Sequence, residues 1–171
     1  PSSPVPGTAP PSAPQPLEAQ RPDAAAVAGR DVWLVHPWAL REPPQDLPAN
    51  TLRVGFCAAE FHRAWPWSAA RWGFVGTRMA ALAPLTWFAD AHILAQALRG
   101  ARSVHTVADP HVQPYLPAGA TCRPAAQLFA DVQRQCASFS QWWMRATRGV
   151  QRVQDLPGLA STAAGPLFEA I

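Results

Sequence analysis

The 171-residue chain has no lysine; its 14 cationic side chains are all arginine. That bias, with abundant alanine, is the composition of a high-GC genome and carries no functional message. Tyrosine is nearly missing, with one residue against 8 tryptophans and 7 phenylalanines. Cysteine is sparse, at Cys57, Cys122 and Cys136, with no CxxC and no histidine pair at zinc-finger spacing. The pattern excludes a disulfide scaffold and a classical zinc module, and fits reduced thiols in a cytoplasm. No run is apolar and long enough to span a bilayer, so no membrane partner is expected. Strong charge is also lacking. A net +3 permits contact with phosphate without demanding it. Three catalytic or nucleotide signatures are absent: a GxGxxG fingerprint, a Walker loop and a GxSxG elbow.

What is present suits one domain. Hydrophobic residues make up 49% of the chain, enough for a core. Residues 1–30 are Pro/Ala/Ser-rich with few large apolar side chains, the composition of a disordered tail or linker. An α/β domain is expected over 31–152, and a frayed tail over 153–171.

Four short apolar, β-branched or aromatic runs read as buried strands: Val32–His36, Leu52–Ala58, Leu85–Phe88 and Arg102–Val107. Between them lie helical patterns. Ser68 is placed to cap a helix running to about Ala83, with Trp72, Val75, Met79 and Leu82 on one face. Gly73 and Gly76 weaken that helix and suggest close packing on a sheet. Asp90 is placed to cap Ala91–Leu98, and Gly100 to close it. Residues 117–124 read as loop, and Ala126–Val132 as a fifth strand or a short helix. Ser138–Gln141 has the form of a capping box opening a helix to about Val150. Strands alternating with helices predict an α/β fold: a Rossmann-like, three-layer domain with a mostly parallel sheet of four to five strands.

In such a sheet the strand carboxyl ends share one edge, where ligands bind. His36 and Trp38 follow the first strand. Glu60, His62, Arg63, Trp65 and Trp67 follow the second, with Arg71 on the helix beyond. Asp90 follows the third, and His105, Asp109 and His111 lie in or after the fourth. Indole faces can stack on a planar ring and arginine can meet a phosphate, so a nucleotide, flavin or base suits this rim. The competing explanation is that strand ends are wet and the tryptophans pack the helix on the sheet. His105, Asp109 and His111 are metal ligands by type, but HxxxDxH is no strong signature, and no metal is expected. Asp90 is better explained as a cap than as a general acid. Arg145, Arg148 and Arg152 form a stripe expected opposite Trp142 and Trp143, either a solvated face or a nucleic-acid contact.

Three segments carry a family resemblance. Val32–Leu40 (VWLVHPWAL) resembles the opening strand of the photolyase/cryptochrome α/β domain. Trp67–Leu98 resembles its next unit, a helix with an Arg-x-x-Phe core, a strand and a short acid-capped helix. Arg102–Leu116 resembles the following strand, loop and Pro-Tyr turn. The match covers about Asp31 to Pro117. It implies a Rossmann-like domain that binds an antenna chromophore or flavin, linked to DNA photorepair. In that family FAD sits in a large helical domain, for which the residues after Pro117 are too few. An enzyme of this kind would therefore depend on a partner or missing domain, and no FAD-binding residue is carried over. Two readings stand beside it: a small nucleotide-binding transferase-type enzyme, and a non-catalytic module docking a partner protein through its tryptophans.

Overall fold

The computed structural model describes residues 19–160 and divides the chain into two compact units, 1–124 and 125–171. The sheet lies wholly in the first unit. Its strands are β1 (Asp31–Val35), β2 (Leu52–Ala58), β3 (Leu85–Ala89), β4 (Ser103–Val107) and β5 (Thr121–Arg123). All pair in parallel, in the order β3-β2-β1-β4-β5. The fold is therefore α/β with a Rossmann-like strand order.

Side-chain alternation sorts the core onto two faces. Val32, Leu34, Val54, Phe56, Trp87 and Val104 point one way. They pack with Val27 of α1 (Ala24–Val27) and with Leu94, Ala97 and Leu98 of α4 (Ala91–Leu98). Trp33, Val35, Cys57 and Val107 point the other way, towards Trp72, Val75, Met79 and Leu82 of α3 (Ala69–Leu82). Helices thus cover both faces, making three layers. Every residue of β1 is buried, as a central parallel strand requires.

The β1–β2 connection has no helix. Leu40 and Leu47 from that loop pack on the Trp33/Val35/Leu82 cluster instead. Arg123 of β5 donates to Asp46, tying the loop to the edge strand.

Helix α3 begins where expected, with Ser68 accepting from the Arg71 backbone N–H at 3.4 Å. Close packing falls at a glycine on the strand and not at Gly73 of the helix. A Cβ on Gly55 would lie 2.7 Å from Met79 Cγ and Sδ, whereas one on Gly73 would meet nothing within 4 Å.

Two further expectations are corrected. Residues 19–30, read as disordered, include α1, capped by Asp23, with Val27 fully buried; Gly29 turns the chain at φ 67° into β1. Residues 1–18 of that reading lie outside the described residues. The fifth strand is Thr121–Arg123, within the stretch read as loop, while 126–132 forms no regular element. Phe74, the phenylalanine of the Arg-x-x-Phe pattern, is 71% exposed. Glu60–Ala64 belongs to α2 (Ala59–Ala64), which continues directly from β2.

The second unit contains α5 (Phe139–Ala146), a 3-10 turn (Val153–Asp155) and α6 (Pro157–Ala160). Ser138 accepts from the Gln141 N–H, while the Gln141 side chain accepts from Ala137 rather than completing a box at Ser138. Phe129 packs edge-on against Trp142 and Trp143. Helix α5 stops at Ala146, short of Val150.

Candidate functional site at the strand carboxyl edge

The chain runs β1, β2, β3 across one half of the sheet and then returns to place β4 beside β1. The reversal makes the carboxyl ends of β1 and β4 the topological switch point, the usual ligand position in open α/β sheets. Here His36 closes the gap between the strands. Its Nε2 lies 2.9 Å from the Val107 carbonyl oxygen. A carbonyl can only accept, so Nε2 carries the proton and Nδ1 is left as a lone pair. That Nδ1 is buried and without a hydrogen-bond partner among the described residues. Burial pushes the His36 pKa down, against smaller upward effects from the Val107 carbonyl and Asp109.

Around this point the rings gather. Trp38 lies parallel to His111, with centroids 5.2 Å apart at 4°, and parallel to His62, at 6.0 Å and 10°. His36 is 6.3 Å from the same indole. Phe61 meets Trp38 edge-on at 4.9 Å and Trp67 does so at 5.5 Å. Histidines from three separate connections therefore share one rim, because parallel pairing sends the chain out of β1, β2 and β4 on the same side.

The members differ in access. His62 is fully buried against Trp67, Trp72 and Phe88, and neither ring nitrogen has a partner among the described residues. Burial, then the nearby Arg71 charge, lowers its pKa to about 4. The imidazole is neutral at pH 7 and acts there as an aromatic wedge. His111 is exposed; its Nδ1 donates to Asp109 at 3.0 Å, and its backbone N–H does the same at 2.8 Å. Arg71 lies over the Trp67 ring, 3.7 Å from its centroid, a cation–π contact with the guanidinium still exposed. The rim is thus a filled aromatic platform with an accessible outer layer. An open cleft of about 630 Å³ lies at the opposite edge, where Arg30, Leu52, Arg53 and Pro84 enter the sheet.

Glu60 and Asp90 sit together on the β2/β3 side. Glu60 accepts from the Ala91 N–H at 3.0 Å, taking the capping role expected of Asp90. Asp90 stands at the N-cap position but makes no side-chain cap; it pairs with Arg63 at 2.8 Å. Trp65 ends α2 and is 67% exposed.

Two groups of expected residues do not join the rim. His105 lies mid-strand, opposite Trp33 and Thr121, with Nε2 3.1 Å from Ser103 Oγ. It does not converge with Asp109 and His111 as a ligand set among the described residues. Arg145, Arg148 and Arg152 belong to the second unit, and only Arg145 lies on α5. The expected stripe on one helix is broken, since Arg152 begins the separate 3-10 turn. Reading the sequence for the rim missed Phe61 and Phe88, whose apolar character hid them among core residues.

Comparison with protein-family models, with curated proteins and with solved structures finds no match. No helix among the described residues is long and apolar enough to cross a membrane.

Proposed function

We propose that the chain is a photolyase-related α/β domain that binds a planar, anionic ligand of the nucleotide or flavin class on this rim. The observation that carries the reading is the parallel Trp38/His111 pair at the switch point, its outer member exposed. Such a surface offers a ring face to a ring, worth about 1 kcal/mol beyond area burial. Arg71, exposed beside the platform, supplies charge for a phosphate. The ligand would not be held in the classical dinucleotide manner. No helix follows β1, so no helix N-terminus is available there for a pyrophosphate. A chromophore role and a link to DNA photorepair rest on the family resemblance alone. The 67% exposure of Trp65 favours a second reading, docking of a partner protein on the same edge.

The test is an absorption spectrum and mass analysis of the purified protein, then calorimetric titration with FAD, flavin mononucleotide and AMP. Binding of at least one, weakened tenfold or more by His111→Ala or Arg71→Ala with the circular dichroism spectrum unchanged, is expected. Affinity unaltered in both variants, or no binding by the wild-type chain, overturns the ligand reading and leaves the docking one.

A further inference from the structure

His92 completes a mixed donor set with Glu60 and Asp90. One ligand atom from each residue lies within 4.8 Å of the others. They come from two elements 30 residues apart: Glu60 from α2 after β2, Asp90 and His92 from the start of α4 after β3. The β2/β3 pairing brings them together, with Ala58 in register with Ala89 immediately before. Bonds of about 2.1 Å put two ligands of one ion at most about 4.2 Å apart, so small side-chain rotations close the set.

We propose that Glu60, Asp90 and His92 form a site for a borderline divalent transition metal such as Zn(II) or Co(II). The donor chemistry selects the class. Carboxylates alone suit magnesium or calcium, whereas an imidazole beside them shifts preference to zinc, cobalt or nickel. Three protein ligands leave a coordination position open. The Ala91 N–H holds the Glu60 carboxylate in place. Arg63 pairs with Asp90 at 2.8 Å while its own side chain stays 61% exposed. It is a competitor for the metal, and its removal favours the ion. His92 is exposed on the first turn of α4, so the site is open to solvent. The site stands apart from the ligand proposed at the β1/β4 switch point, and its test needs no such ligand.

The experiment titrates the full chain with ZnCl₂ by calorimetry and follows CoCl₂ by its visible absorption. One ion per chain is expected. His92→Ala and Glu60→Gln each weaken it at least tenfold; Gln keeps the oxygen that accepts from Ala91, so folding is preserved. Arg63→Met tightens binding several-fold, an effect that a merely structural cluster would not give. His105→Gln, outside the set, leaves affinity unchanged and so controls for stray imidazole binding. Affinity retained in His92→Ala, a loss in His105→Gln equal to that in His92→Ala, or no binding by the wild-type chain, overturns the proposal.

Discussion

His62 shows how one side chain's surroundings change its chemistry. On a surface it would titrate near pH 6.5; sealed among Trp38, Trp67, Trp72 and Phe88 it is held neutral down to about pH 4. The unfolded chain therefore binds a proton between those values that the folded chain refuses. By linkage, stability rises with pH across that window. The contribution is intact above about pH 6.5 and is lost progressively as pH falls to about 4, by up to about 3 kcal/mol. His36, also lowered by burial, acts in the same direction. Urea denaturation from pH 4 to 7.5 should show this slope, and His62→Phe should flatten it. An equal slope in the variant would mean that another group dominates. Cys57 is the companion case: burial drives its thiol up to about 12, which makes it core and not a nucleophile.

At the scale of elements, the contact between α3 and β2 decides the shape of the second layer. Met79 sits directly over Gly55, with its Sδ 4.0 Å from Cys57 Sγ on the same strand. Gly55→Ala must displace Met79 or Thr86 from packed positions, and an expected loss of about 1–3 kcal/mol follows from overpacking. Thermal denaturation checks it; a variant as stable as the wild type would show that the helix can ride outward freely. Much of the element order was readable. The face Trp72, Val75, Met79 and Leu82 was legible because helix period and burial coincide, and Ser68 because its cap is local. The capping of α4 was not. Asp90 satisfies every local rule for an N-cap, yet Glu60, 30 residues earlier, takes the Ala91 N–H. No rule of spacing along a helix can reveal a donor shared across a strand pair. β5 was missed for a related reason: three residues, mostly exposed, carry no hydrophobic period.

For the whole molecule, the chain divides into two compact units at Pro124, inside the stretch 31–152 expected as one α/β domain. The sheet is complete by Arg123, and 125–137 carries no regular hydrogen-bonded element. Limited proteolysis should therefore cut first within 125–137 and leave a fragment ending near Pro124 as the resistant product. First cuts inside β1–β4 would contradict a self-contained sheet unit.

The amino-acid sequence determined the alternation of strands and helices, the apolar faces and the residues that leave each strand, because these depend on local period and local sterics. Only the tertiary structure decided that β4 returns to the flank of β1, that His36 bridges the two, and that Trp38 lies parallel to both a buried and an exposed histidine. Strand order is fixed by pairing energies between segments tens of residues apart, and those contacts leave no mark in any single stretch of chain.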